Sequence, residues 1–495
     1  MSTNNRAAED RGFFGHPKGL STLFFTEMWE RFGYYGMRGL LILFMTAPAA
    51  AGGLGFSVAK AGAIYGIYTS MVYLASLPGG WIADRILGQQ RAVLVGGLIM
   101  SVGYLTLSAP GLAPFYAGLV LVVLGTGLLK PNISTIVGQL YAPEDRRRDA
   151  GFSIFYMGIN LGAFLAPLVC GFVGETYNYR WGLALAGVGM VIGLLTFVRG
   201  RPRLGDAGAQ PAAPKDEGER AAVRRKLYRA GLGAALAAVF LMGGQAAGLF
   251  TITAEVMVNL VGLFLFAVVI ALFGWMFFAG DWTPVERKRL IAILVLFVVS
   301  CFFWSVFEQA GSTLNLFAKQ DTERMLLGFE FPASWLQSLN SFFIWTLAPV
   351  FAWLWMRLGP REPSSPAKFA WGMVLVGAGF LVLVPPALGV QGGEKAAFHW
   401  LLLTYLLHTM GELCLSPVGL SAVTKLAPAR VAGMMMGVWF VSISMGNYLG
   451  GRIASVYETF PLPLLFGVVG GLAAAVGVAL ALFVKPIVRL MGGVK

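Results

Sequence analysis

Long apolar runs, broken by short clusters of charge, glycine and proline, repeat along this 495-residue chain. A helix that crosses a hydrocarbon core needs about 20 mainly apolar residues. Cutting the runs at charges and at Pro/Gly-rich breaks predicts fourteen spans. Six fall near 19–48, 57–83, 91–109, 113–139, 149–173 and 180–198; two more lie near 228–250 and 254–279. The last six lie near 288–318, 331–357, 368–387, 397–426, 430–456 and 461–489. The main polar interruption, "RGRPRLGDAGAQPAAPKDEGERAAVRRK" (Arg199 to Lys226), mixes Pro, Gly, Ala and charges of both signs and reads as a tether. The predicted units are a six-helix bundle over 1–198, a linker with an inserted two-helix hairpin over 199–286, and a second six-helix bundle over 287–495.

Composition agrees with an all-α membrane protein: 57% of residues are hydrophobic and only 12% charged. Two six-helix bundles are the arrangement of the major facilitator fold, in which a ligand site lies between the halves near the bilayer midplane. The net charge of +13 raises the question of nucleic acid, but its placement answers it. With both termini inside, only Lys60, Arg180, Lys319, Arg324 and Lys395 fall in loops on the outer side, which is the ordinary topological bias of a multi-pass protein. The expectation is therefore a cell (inner) membrane protein with cytoplasmic N- and C-termini, monomeric, in contact with lipid and not with nucleic acid. No secretory signal is expected, because the polar start of the chain leads into a run too long and too charged for one. Cys170, Cys301 and Cys414 lie in apolar runs without paired spacing, so neither a disulfide framework nor a metal site is expected.

Charge inside the spans carries more information. A charged side chain at the centre of a spanning helix costs roughly 2.5 to 3.5 kcal/mol on insertion scales, so it persists with a partner or beside water. The chain places Glu27, Glu30, Arg31 and Arg38 in the first span, Lys130 in the fourth, Glu308 in the seventh core span, Glu412 in the tenth and Arg452 in the eleventh. Helical periodicity puts Glu27, Arg31, Tyr34 and Arg38 on one stripe, flanked by Glu30 and Tyr35. Glu27 and Arg31 form an i,i+4 pair, whereas Arg38 and Lys130 need acids from elsewhere. Glu308 and Glu412 in turn lack a base on their own helices. The first half thus has surplus cations and the second surplus anions. Pairs across the interface between halves are expected, lining a cavity with a basic and an acidic pole.

Several motifs in order resemble the proton-dependent oligopeptide transporter family of the major facilitator superfamily. The first-span pattern E-x-x-E-R-F-x-Y-Y-G falls on Glu27, Glu30, Arg31, Phe32, Tyr34, Tyr35 and Gly36. "GGWIADRILGQQR" (Gly79 to Arg91), "GTGLLKPNIS" with Lys130, "FSIFYMGINLGAF" (Phe152 to Phe164), "FWSVFEQAGSTLNLF" (Phe303 to Phe317) and "QSLN" with Asn340 are similar to further family signatures.

The resemblance implies import of di- and tripeptides driven by a proton gradient, with protons as coupling ion and no other cofactor. It places Glu27, Glu30, Arg31 and Glu308 in proton coupling, Glu30 and Glu308 being the main titrating groups. Arg38 with Glu308 would gate the outward side, and Lys130 with Glu412 the inward side. Asn160, Asn340 and Glu412 would hold the peptide amino terminus, and Arg31, Arg38 and Lys130 its carboxylate. Tyr34, Tyr35, Tyr73 and Trp439 would line side-chain pockets, and Ser416 joins the peptide-binding set. Fixing both ends of a short backbone by charge, with apolar walls between, suits selection by length over selection by sequence.

The histidine of the family's animal members in the second span is absent: the only histidines are His16, His399 and His408. Coupling is therefore expected to rest on carboxylates. His408 reads either as polar lining or, more ordinarily, as a packed residue. The alternative substrate is another small zwitterion or anion, such as an amino-acid conjugate or nitrate. A passive channel predicts a continuous polar stripe on several helices, and an enzyme needs a nucleophile with its base or a metal cluster; neither pattern is present. No G-x-x-x-x-G-K-[ST] or H-E-x-x-H stretch occurs. The inserted hairpin reads as lipid-facing.

Overall fold

The computed structural model describes residues 12–142, 144–211, 217–249, 251, 253–278, 280–428 and 430–493. The apolar runs form long helices: α1 (Lys18–Thr46), α2 (Val58–Leu74), its short continuation α3 (Ser76–Ile82), α4 (Gln89–Ser108), α5 (Leu112–Gln139), α6 (Arg148–Thr176) and α7 (Tyr179–Gly200). After these come α8 (Glu217–Ala246), α9 (Ala254–Phe278), α10 (Pro284–Phe307), α11 (Thr313–Gln320), α12 (Ser338–Leu358), α13 (Ser365–Leu381), α14 (Val384–Gln391), α15 (His399–Leu426), α16 (Met435–Ser455) and α17 (Leu462–Leu490). Among the described residues, strands are confined to two-residue pairings in loops, Thr322–Glu323 with Ala396–Ala397 and Met325–Leu326 with Phe329–Glu330.

Local signals set several helix starts. Thr283 and Glu286 form a capping box around Pro284 at the first turn of α10. Asn178 accepts from the Arg180 backbone N–H to open α7. Among the described residues, ten helical segments are long and apolar enough to cross a membrane. The charged α1 is not among them, because Glu30, Arg31 and Arg38 interrupt its apolar stretch.

Packing separates two sets. Helices α1, α4, α5, α6 and α7 pack on one another, as do α10, α13, α15, α16 and α17. The sets meet along α2 with α16 and α6 with α12. At the first of these seams the backbones nearly touch: a Cβ on Gly66 would lie 2.6 Å from the Gly451 Cα, so only glycine permits this approach.

Two expectations change. The start of the predicted tether is a folded strap: Gln90 Nε2 donates to the Gly205 and Ala207 carbonyls at 3.0 and 2.8 Å, and the Gly208 N–H donates to Gln139 Oε1 at 2.6 Å. Helix α8 begins at Glu217, inside the stretch read as linker; residues 212–216 lie outside the described residues. The second change concerns the hairpin. Helix α9 packs on α2, α10 and α16 and so touches both sets. Val258, Leu265, Phe273 and Met276 form its buried stripe, while Leu263 and Ile270 on the opposite face are about 70% exposed.

Candidate functional site

A cavity of about 1220 Å³ lies between the two sets. It runs from Asp84, Gln139, Arg148 and Gly433, at the end where α1 begins and α17 ends (the terminus-bearing end), inward to Arg38, Glu308 and Asn340. The opposite, far end is closed. There Arg38 Nη2 meets Glu308 Oε2 at 2.6 Å, and Arg38 Nε donates to the Tyr65 hydroxyl at 2.9 Å. Asn315 Nδ2 donates to the Gly39 carbonyl at 2.8 Å, and Ser70 and Ser444 share a hydrogen bond of 2.9 Å. The Arg38–Tyr65 bond lies within the first half; the other three contacts join the first half of the chain to the second.

One wall belongs to α1. Arg31 Nε donates to Glu27 Oε1 at 2.8 Å and lies 2.8 Å from Glu30 Oε2. Glu30 is fully buried, and neither of its carboxyl oxygens has a hydrogen-bond partner. One guanidinium thus serves two buried carboxyl groups. Further along the helix, the Arg38 Cζ lies 5.6 Å from the Tyr35 ring centroid.

Lys130 reaches the same space from α5, where Pro131 sits inside the continuous helix and Asn132 Nδ2 bonds back to the Leu128 carbonyl at 2.6 Å. Its ammonium sits 3.8 Å from the Tyr73 ring centroid. On the opposite wall, Asn340 Nδ2 of α12 donates to Glu412 Oε2 of α15 at 2.8 Å and to Thr409 Oγ1 at 3.1 Å. Lys130 and Glu412 make no ion pair: Lys130 faces an aromatic ring and Glu412 an amide. The arrangement therefore has the Arg38–Glu308 pair closed and the second expected pair open, as separation of the two sets at the terminus-bearing end requires.

The cavity wall brings together Glu27, Arg31, Tyr35, Arg38, Tyr73, Lys130, Asn160, Glu308, Asn340, Glu412, Ser416 and Trp439. Tyr34 and Glu30 are behind that surface. Tyr34 is about 100° around α1 from Tyr35; its ring packs edge-on against Tyr35 and it is 2% exposed. Arg452 is exposed near the far end of α16 and contributes nothing to the cavity. His408 lines the wall but is 2% exposed and held between the Phe307 and Phe380 rings, so it is chiefly a packed residue.

Sequence reasoning missed Tyr65, Tyr156, Trp304, Phe307, Gln337, Tyr405 and Thr409. Of these, Thr409 had a signal: it lies three residues before Glu412, on the same helical face. It also missed Val268 and Leu272 of α9, which reach the cavity from the hairpin.

The POT family model matches residues 90–468. The chain belongs to that family. It is 42% identical to an uncharacterized transporter of Bacillus subtilis, over 99% of this chain and 98% of the relative. It is 41% identical to a peptide transporter of Yersinia enterocolitica (99% and 98%) and 38% identical to a di-/tripeptide transporter of Lactococcus lactis (98% and 99%). Among solved structures, a peptide transporter POT in complex with sulfate superposes with a TM-score of 0.93 at 44% identity, covering all of both chains. A POT family transporter in complex with 5-aminolevulinic acid gives 0.91 at 34% identity, over 98% of this chain and all of that one. This POT protein thus shares both sequence and helical architecture with membrane transporters.

Proposed function

We propose that the protein is a proton-coupled symporter that imports di- and tripeptides by alternating access. The observation that carries this reading is the cavity between the two sets, with Arg31, Arg38 and Lys130 at one pole and Glu412 with Asn340 at the other. A zwitterionic peptide fits that polarity, its carboxylate toward the basic wall and its ammonium toward Glu412. Apolar and aromatic surfaces from Tyr35, Tyr73, Trp304, Phe307 and Trp439 leave room for varied side chains. The relatives named as peptide or di-/tripeptide transporters support the same substrate class.

Protons enter through Glu27, Glu30 and Glu308, whose arginine partners are also the groups that face the substrate carboxylate. Arg38–Glu308 gates the far, extracellular side, and Lys130 with Glu412 gates the cytoplasmic side once the near end closes. The architecture is the major facilitator arrangement with fourteen spans. The ten apolar helices supply most of these, and α1, α2 with α3, α8 and α16 supply the rest. The units are 1–198, 199–286 and 287–495, monomeric in the cell membrane with both termini cytoplasmic.

The test is uptake of labelled dialanine into proteoliposomes, with and without an inward proton gradient, challenged by unlabelled tripeptide, free alanine or 5-aminolevulinic acid. Accumulation only with the gradient, blocked by tripeptide and not by alanine, is the expected result. Competition by 5-aminolevulinic acid alone, with no dialanine uptake, would instead assign the site to a small non-peptide zwitterion.

A further inference from the structure

Glu175 sits in the last turn of α6, away from the cavity, and its side chain is 3% exposed. Burying a carboxylate is costly unless its oxygens are satisfied. Here four donors satisfy it. Oε1 accepts from the Ser334 N–H at 2.9 Å and from the Ser334 hydroxyl at 2.7 Å. Oε2 accepts from the Ala333 N–H at 3.1 Å and from Lys319 Nζ at 3.0 Å. The acceptor belongs to the first set of helices and every donor to the second.

The bond is the last tooth of a longer closure. Along one face of α6, the Phe164 carbonyl accepts from the Ser338 hydroxyl at 2.8 Å and the Leu168 carbonyl from Trp335 Nε1 at 3.0 Å. Gly171 leaves the space that the Ser334 side chain occupies. Positions 164, 168, 171 and 175 are one helical stripe, and residues 333–338 lie along it. Beside Glu175, a second cavity of about 350 Å³, lined by Thr46, Asn178, Lys319 and Gln320, gives water a route to the carboxylate when the stripe parts.

We infer that Glu175 is a far-end latch that sets the balance between far-closed and far-open states without touching substrate. Its four bonds, two of them from backbone N–H groups and one from an ammonium, are charge-assisted and exist only while the far end is shut. The Arg38–Glu308 pair lies on the cavity wall, where a substrate carboxylate competes for Arg38. Glu175 has no such competitor, so it holds the far end closed whether or not the cavity is loaded. It is a positioning residue, and the inference rests on the alternating-access reading.

The experiment is a pair of spin labels across the far end, on Leu112→Cys and Leu388→Cys, both about half exposed, with the three native cysteines replaced by alanine. Distances are measured by pulsed electron resonance without peptide or gradient. E175Q is expected to raise the far-open population at least tenfold, about 1.4 kcal/mol. K319Q, which removes a partner that is one-third exposed, is expected to raise it less, and E308Q serves as the reference for a broken gate. Wild-type distributions in both E175Q and K319Q, with E308Q shifted, would overturn the latch. If E175Q does not fold, K319Q and S334A decide by the same criterion. A shifted distance in a protein that moves no peptide supports the latch and sinks the transport reading, whereas a far end that opens in no variant overturns both.

Discussion

Glu30→Gln tests the proposed proton switch. In the structure, Arg31 Nε lies 2.8 Å from a carboxyl oxygen of Glu27 and 2.8 Å from one of Glu30. At an effective dielectric near 20, two unit charges at that separation attract by about 6 kcal/mol. The desolvation that opposes ionisation of a fully buried carboxyl is also several kcal/mol. On the proposed symport reading, Arg31 decides whether Glu30 holds a proton. If the guanidinium turns to a substrate carboxylate, the lost attraction exceeds by several-fold the roughly 1.4 kcal/mol that one pH unit supplies. Gln at position 30 keeps the shape and removes the response, while leaving the Glu27–Arg31 pair neutral. In proteoliposomes with an inward gradient of one pH unit, each coupled proton supports about tenfold accumulation. E30Q is expected to lose at least that factor, with exchange of labelled for unlabelled peptide staying within about threefold of wild type. Accumulation equal to wild type at the same gradient would refute the reasoning; equal loss of accumulation and exchange would make Glu30 a structural tie.

Three further outcomes follow from the geometry. Asn340→Ala removes the 2.8 Å bond to Glu412, a hydrogen bond to a charged group worth about 1.5–3 kcal/mol; KM for dialanine is expected to rise about tenfold or more, and an unchanged KM would remove Asn340 from the binding set. Gly262→Ala brings a Cβ onto the Tyr448 hydroxyl and ring Cζ, so thermal stability in detergent is expected to fall by about 1–3 kcal/mol; no fall would mean that α9 does not lean on α16. At the terminus-bearing end, His16 bonds Tyr141 at 2.9 Å, and burial, with the nearby Arg147 charge, holds its imidazole below the ordinary 6.5. The neutral form is therefore the one the fold prefers, and the stabilisation is present above pH ~6.5 and lost as pH falls through the folded value. Hydrogen exchange at residues 13–16, corrected for its intrinsic pH dependence, is expected to quicken on acidification in wild type and not in His16→Gln.

Ten of the expected spans were legible because length and apolarity alone define them. The α1 charges were legible for a related reason: in an apolar run each one demands a partner. That logic anticipated that Arg38 takes its acid from the other half, and Glu308 supplies it. It also assigned Lys130 to Glu412, a pair absent from this arrangement, since sequence names partners without saying in which state they meet. Glu175 was overlooked because it lies beside a loop, where a carboxylate is ordinary and water is the default partner; only folding brings residues 333 and 334 over it. The folded strap at residues 201–208 was hidden similarly, since its bonds run from Gln90 and Gln139 to backbone groups whose conformation no composition reveals. Helix α9 is apolar on every face, so no moment marks the side that packs. Yet that side meets both sets of helices and sends Val268 and Leu272 into the cavity. On the alternating-access reading, a helix that touches both sets must slide on one of them whenever they rock. Gly262, where the Tyr448 hydroxyl fills the place of a side chain, ties α9 to α16, while the helix's longer contact runs along α2, so rocking must shear one of two fitted surfaces.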